Sequence, residues 1–273
     1  MPLRRFGLTT TGSSMNTTAP PPATDLPQPS PDWALFLDFD GTLVEIADQP
    51  DGVEVAPELP DLLTRLHTAL GGAVALVSGR GLDDIDRMLG TPQMATAGQH
   101  GLERRDADGR RITATIDHTA LDDIISTLQP FVAAHPGTRL EPKGMTVALH
   151  YRNAPEAESD ARAIVASLME RHGDGFHVQE GKMVLEVKPK GSTKGTVVEQ
   201  FLTEPPFAGR TPVFIGDDVT DEDGFRVVNR HGGVSIQVGT RLPTDATSRI
   251  ASVPDLHRWL ARMAKSLNGA AGI

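Results

Sequence analysis

The sequence predicts an α/β protein, a doubly wound, Rossmann-like parallel sheet into whose chain a smaller α+β unit is inserted. Three observations carry that expectation. Ala34-Leu35-Phe36-Leu37, Ala73-Val74-Ala75-Leu76-Val77 and Pro212-Val213-Phe214-Ile215 are short, uninterrupted apolar runs of the kind that fill strands buried on both faces. Stretches with apolar residues at helical spacing alternate with them, the rhythm of right-handed β-α-β units. Between about residues 112 and 186 the alternation gives way to helix, hairpin, helix, hairpin, and hairpins demand antiparallel pairing.

The first 31 residues stand apart. Thr, Ser, Pro and Ala dominate them, and Pro20, Pro21, Pro22, Pro27, Pro29 and Pro31 crowd before the first strand. Such a stretch buries too little apolar surface to offset its ordering entropy, so residues 1–31 are expected to be a disordered tail without a part in the chemistry. Arg4-Arg5-Phe6 lacks the apolar run that an export signal places behind its arginines. Met15 offers an alternative start. The sheet unit is expected over residues 32–111 and 187–267, with the insert at 112–186.

After the first strand, residues 57–70 carry Leu59, Leu62, Leu63, Leu66 and Leu70 at helical spacing, and Gly71-Gly72 stops that helix. The strand at 73–77 ends in Ser78-Gly79-Arg80. A short helix with Leu82, Ile85, Met88 and Leu89 on one side follows. A weaker strand at 94–97 then leads into Gly98-Gln99-His100-Gly101. In the insert, Leu121, Ile124, Ile125 and Leu128 mark a helix over 119–134, and strands at 138–141 and 145–151 turn through Pro142-Lys143-Gly144. A helix over 156–171 and a second hairpin, 176–179 with 183–187 turning at Gly181, complete it. The α/β rhythm resumes with a helix over 193–202, a strand at 212–215 ending in Gly216-Asp217-Asp218, a strand at 234–238 and a closing helix at 256–263.

Composition narrows the function classes. Lys plus Arg is 26 against 36 Asp plus Glu, a formal net charge of −10, and no basic run suits nucleic acid or an anionic membrane. With no cysteine there is no disulfide framework, thiolate metal site or thiol nucleophile. No apolar run approaches the roughly 18 residues of a membrane span. A soluble, cytoplasmic protein acting on a small molecule is expected, with a monomer compatible with everything above.

The chemistry concentrates where strands end. Asp38 and Asp40 follow the first strand, Ser78 the second, and Asp217 with Asp218 a later one; in a parallel sheet all these ends lie on one edge, where such folds bind ligands. Converging carboxylates repel one another unless a cation lies between them. A hard divalent cation such as Mg²⁺ takes one or two carboxylates plus phosphate oxygens, so the site should bind a phosphate. Ser78 and the N–H of Gly79 suit phosphate oxygens, and Lys194 in Gly191-Ser192-Thr193-Lys194-Gly195 supplies a cation just before a helix. Arg80 and His100 lie beside these motifs and join the candidate substrate-binding set. Each also has a plainer reading, a contact between elements for Arg80 and a backbone-bonded turn for His100.

Asp38-Phe39-Asp40-Gly41-Thr42, Ser78, Lys194-Gly195 and Gly216-Asp217-Asp218 match in order the four motifs of the haloacid dehalogenase superfamily, which the chain resembles over residues 33 to about 262. The resemblance implies that Asp38 is a nucleophile forming an aspartyl-phosphate, and that Asp40, held protonated, is the general acid and base. It further implies that Mg²⁺ is bound by Asp38, the Asp40 main-chain oxygen and Asp217, with Asp218 or Asp221 orienting its waters. Ser78 and Lys194 would hold the transferring phosphoryl group. The insert is similar to the C2 caps that choose substrates in this superfamily. Within it, Glu141-Pro142-Lys143, His150-Tyr151-Arg152 and Glu180-Gly181-Lys182 resemble the trehalose-6-phosphate phosphatases, which implies that Glu141, Lys143 and Glu180 contact sugar hydroxyls. The expected function is Mg²⁺-dependent release of phosphate from trehalose 6-phosphate. The alternatives are another sugar phosphate (sucrose 6-phosphate or a mannosyl-3-phosphoglycerate), a metal-dependent glycosyltransferase, or a sugar-phosphate sensor without turnover.

Overall fold

The computed structural model of the chain describes residues 26–47, 52–90 and 94–270. The expected tail lies outside them up to residue 25, as does Met15. Of the rest, residues 26–30 carry neither helix nor strand, and Leu26 packs against the core.

In chain order the larger unit begins with β1 (Trp33–Leu37), α1 (Leu59–Ala69), β2 (Val74–Val77), α2 (Leu82–Leu89), β3 (Ala95–Gly98), β4 (Glu103–Arg105) and β5 (Arg111–Thr113). The smaller unit follows as α3 (His118–Ala134), β6 (Arg139–Pro142), β7 (Val147–His150), α4 (Glu158–His172), β8 (Phe176–Gly181) and β9 (Val184–Pro189). The chain then returns to the larger unit with α5 (Lys194–Phe201), β10 (Thr211–Gly216), α6 (Asp221–Arg230), β11 (Val234–Val238), β12 (Ser248–Ile250) and α7 (Val253–Ala270).

The eight-stranded sheet runs β12-β11-β10-β1-β2-β3-β4-β5, parallel from β12 to β3. β1 lies at its centre with every residue buried. Alternation along it feeds two cores. Trp33, Leu35 and Leu37 face a cluster that includes α1, α2 and α7, whereas Ala34 and Phe36 face α5 and α6. This two-sided burial is why the strand reads as an unbroken apolar run. The four-stranded sheet, β6-β7-β9-β8, is antiparallel throughout and buries one face beneath α3 and α4.

Three strands escape an apolar pattern. β4 and β5 form an antiparallel hairpin that carries the larger sheet to Thr113, past the expected boundary at 111. β4 is written in arginines because its buried side chains are paired: Arg104 forks onto Glu204 at 2.6 and 2.8 Å, and Arg105 onto Asp86 at 2.7 Å. β5 is an exposed edge and β12 is short. In the smaller unit, β8 and β9 pair as far as Gly181 and Val184, so the turn is Lys182-Met183 rather than Gly181, and β9 continues to Pro189. Among the described residues no helix is long and apolar enough to cross a membrane.

Candidate active site

Asp38 is the first residue beyond β1 and is buried at 3% exposure, its N–H still donating to the Ile215 carbonyl of β10 at 2.9 Å. The chain then turns tightly, Thr42, Leu43 and Val44 all donating to the Phe39 carbonyl. Gly41 is required at this turn on two counts. Its φ is +78°, and a Cβ there would fall 2.2 Å from Asp217 Oδ2. A side chain would push the two strand ends apart. Thr42 Oγ1 also donates to Asp217 Oδ1 at 3.3 Å.

Beyond β10, Asp217 and Asp218 donate their backbone N–H groups to Asp221 Oδ2 at 3.0 and 2.8 Å. Asp221 opens α6, where the helix dipole favours a carboxylate. Carboxylate oxygens of Asp38, Asp217 and Asp221 lie within 4.8 Å of one another. Burial first, and then the charge of Asp38, push the Asp217 and Asp221 carboxyls well above the usual carboxylate range.

Lys194 brings a positive charge to this cluster. Lys194 Nζ donates to Asp38 Oδ1 at 2.6 Å and to Asp221 Oδ1 at 2.7 Å, with 3% of the lysine exposed. Burial disfavours its charge, but Asp221 and Asp38 outweigh that and hold its ammonium above the ordinary lysine range. Lys194 is also the first residue of α5, where the helix dipole repels a cation. A capping box between Thr193 and Thr196 secures the helix end, and the carboxylates more than offset the dipole.

Ser78 ends β2 in a loop whose Arg80 N–H donates to Ser78 Oγ at 3.1 Å. Arg80 reaches back to Asp40 as a fork, Nε to Oδ2 at 2.6 Å and Nη2 to Oδ1 at 2.7 Å. Both Asp40 oxygens thus accept from the Arg80 guanidinium. Gly79 lies beneath His100, whose Nε2 would be 2.7 Å from a Cβ at that position. Burial, followed by Lys188, Lys194, Lys143 and His177, lowers the His100 imidazole well below the usual range, so it is neutral. Asp218 contributes its backbone to Asp221 but is not among the converging carboxylates.

The smaller sheet sorts its residues by parity. Leu140, Val147, Leu149, Leu185, Val187, Phe176 and Val178 pack beneath α3 and α4, leaving Glu141, Ala148, Glu186 and Gln179 paired in a row on the opposite face. Glu141 accepts from His150 Nε2 at 2.7 Å. Burial opposes the Glu141 charge, but His150 and Lys143 keep its carboxyl below the usual range, while burial lowers His150, so the bond runs from a neutral imidazole to a carboxylate. Lys143 lies 3.6 Å from Glu186, which also accepts from Thr146 Oγ1 at 2.9 Å. Glu180 is not brought to this group. It shares parity with Phe176 and Val178 and pairs with Arg162 of α4 at 2.8 Å on the helix side.

Further residues outside the sequence-predicted set join this region. Glu186, and not Glu180, lies beside Lys143. Lys188, on the same face of β9 and 3% exposed, donates to Gln179 Oε1 at 2.8 Å; burial, with Lys194 and Lys143 adding to it against Glu186, lowers its ammonium to about 8. Arg241 braces the loop after β10 through the Asp217 and Asp218 carbonyls at 3.1 and 3.2 Å, and pairs with Glu222, which in turn accepts from the Asp245 N–H at 2.7 Å. The alternation of β8 and β9 was readable and points to Glu186. Nothing local in the sequence ties Arg241 to a loop 23 residues away.

The family model described as trehalose-phosphatase matches residues 36–254, which span both strand-end clusters and the whole smaller unit. The chain belongs to the trehalose-phosphatase family. It is 44% identical over 246 residues to the trehalose-6-phosphate phosphatase of Escherichia coli (strain K12), covering 90% of this chain and 92% of that one. In fold it is similar to the C-terminal domain of Candida albicans trehalose-6-phosphate phosphatase, with a TM-score of 0.74 at 21% identity over 86% of this chain and 93% of that one. A haloacid dehalogenase-like hydrolase from Bacteroides thetaiotaomicron superposes with a TM-score of 0.62 at 13% identity, over 84% and 98%. The expected superfamily fold and trehalose-phosphatase family are thus both found.

Proposed function

We propose that the chain hydrolyses trehalose 6-phosphate to trehalose and phosphate through an aspartyl-phosphate on Asp38. The observation that carries this is Asp38 itself, a buried carboxylate at the end of the central strand, held by Lys194 and opposed by Asp217. Lys194 fixes one Asp38 oxygen and leaves the other to attack phosphorus in line, with the P–O bond to the sugar breaking as the Asp38 O–P bond forms. Ser78 and the neighbouring N–H groups hold phosphoryl oxygens. Asp40 gives a proton to the departing sugar oxygen and later takes one from the water that cleaves the acyl phosphate. Arg80 keeps Asp40 aimed until then, and must release at least one of its oxygens for the proton to be carried. The smaller unit acts as the cap, with Glu141, Lys143 and Glu186 offering charged partners to sugar hydroxyls.

The donor set fits Mg²⁺, being composed of carboxylates crowded enough to raise one another's affinity for a proton. Asp38, Asp217 and the Asp40 main-chain oxygen would hold it. Asp221 is already committed to Lys194 and two backbone N–H groups, so it positions the others. When bound, the cation neutralises charge on the transferring phosphoryl group. Mg²⁺ at a hundred times its Kd should stabilise the fold by about 2.7 kcal/mol, which raises Tm by roughly 5–10 °C for a chain of this size. Thermal melts with Mg²⁺ and with chelator check this, and coincident melts would remove Mg²⁺ from the reading.

A panel of sugar phosphates with and without Mg²⁺, scored by kcat/KM, tests the substrate; equal rates on glucose 6-phosphate or sucrose 6-phosphate exclude trehalose 6-phosphate as the preferred one. Within the cap the two glutamates should separate. Glu186→Gln is expected to cut kcat/KM for trehalose 6-phosphate by about tenfold or more, since it unpairs Lys143 as well as a sugar contact. Glu180→Gln, which touches only Arg162 in solvent, should leave the substrate ranking as it is. The reverse result would return Glu180 to the sugar site.

A further inference from the structure

Gln99 and His100 follow β3 as consecutive residues with φ of +48° and +57°, a conformation that costs non-glycine side chains energy and is retained where surrounding structure enforces it. The enforcement is visible. Gln99 N–H donates to the Arg80 carbonyl and His100 N–H to the Ser78 carbonyl, both at 2.9 Å, so the turn is bound to the loop that carries Ser78 and Arg80. The absent Cβ of Gly79 makes room for the His100 ring, and a Cβ on Gly144 of the cap would be 3.9 Å from Gln99 Nε2. The turn therefore lies between the phosphate loop and the cap.

Both side chains carry an enclosed polar atom with no hydrogen-bond partner, Gln99 Oε1 and His100 Nδ1. The Gln99 amide cannot be reversed to cure this. Its Nε2 donates to Glu103 Oε1 at 3.3 Å, and reversal would set an amide oxygen against that carboxylate. His100 cannot gain a proton without placing a cation among Lys188, Lys194 and Lys143. The turn thus offers one fixed acceptor and one neutral imidazole nitrogen on consecutive residues. Buried polar groups are normally paired, so two unpaired ones on consecutive residues of a strained turn call for an explanation.

We propose that Gln99 and His100 read the leaving group from the core side, with Gln99 Oε1 accepting from one hydroxyl of the phosphate-bearing sugar ring and His100 Nδ1 bonding a neighbouring hydroxyl. This rests on the sugar-phosphate reading above. The cap then holds the sugar from one side and the Gln99-His100 turn from the other, while the same turn ties the sugar's position to the Ser78 loop that holds its phosphate. A substrate without hydroxyls at those positions leaves both atoms unpaired and is rejected on that account.

Gln99→Met, which keeps the length of the side chain and removes the acceptor, and His100→Asn, which tolerates positive φ, test this against trehalose 6-phosphate and p-nitrophenyl phosphate. Each variant should lower the ratio of kcat/KM for the sugar phosphate to that for the aryl phosphate by roughly tenfold to a hundredfold. Competitive inhibition by trehalose should weaken in parallel. Loss of both activities in equal proportion would mean that the turn only supports the phosphate loop, and an unchanged ratio would mean that the sugar never reaches it; either overturns the inference. A wild-type enzyme that shows no preference for trehalose 6-phosphate over the other sugar phosphates overturns the underlying function instead, so the two failures are distinguishable.

Discussion

Asp38→Asn is expected to lower phosphate release from trehalose 6-phosphate by at least about ten-thousandfold while leaving the fold nearly as stable as before. An amide oxygen is a poor nucleophile and cannot form an acyl phosphate that hydrolyses, so the reaction loses its first step rather than a contribution to it. Stability is spared because Lys194 keeps Asp221 at 2.7 Å and an amide oxygen at position 38 still accepts from its Nζ. The crowd of carboxylates also shrinks from three to two, which relieves part of the repulsion felt by Asp217 and Asp221. Phosphate release measured with Mg²⁺, alongside a thermal melt, separates lost chemistry from lost structure. Undiminished turnover in that variant would falsify the covalent mechanism.

Such a prediction was accessible from the sequence because the strand ends were. β1, β2 and β10 are buried on both faces, so they had to be written as apolar runs, and polar residues just after them had to emerge on one edge of the sheet. Asp38, Ser78 and Asp217 follow from that logic alone, whereas Lys194 needed the additional fact that α5 begins beside the same edge. What stayed hidden depends on long-range pairing. Arg104 and Arg105 give β4 no apolar pattern, and the acids that neutralise them, Glu204 and Asp86, are remote in sequence. The Asp40–Arg80 fork could not be read from two motifs 40 residues apart. Glu180 was a different kind of miss. Phe176 and Val178 point under the helices, so period-two alternation sends Glu180 the same way and turns Gln179 and Glu186 outward.

Lys194→Met should damage the fold more than Asp38→Asn does, since Lys194 joins the nucleophile to the element that positions it. The substitution keeps the stem and removes the ammonium, leaving Asp38 and Asp221 buried beside Asp217 without the charge that bridged them. Breaking one side of a buried ion pair costs about 3–5 kcal/mol, which lowers Tm by roughly 10 °C for a chain of this length. Arginine does not replace it: a planar guanidinium needs more room than a point ammonium, and this site is closed. Turnover should fall by at least about a hundredfold, because the phosphoryl group loses a fixed cation and Asp38 its orientation. Mg²⁺ distinguishes these two losses. It supplies positive charge to the same carboxylates and should restore part of the lost Tm, but it cannot restrain the Asp38 oxygen that Lys194 held, so activity should remain low at saturating Mg²⁺. A variant that melts with the wild type in chelator would show that Lys194 neutralises nothing there.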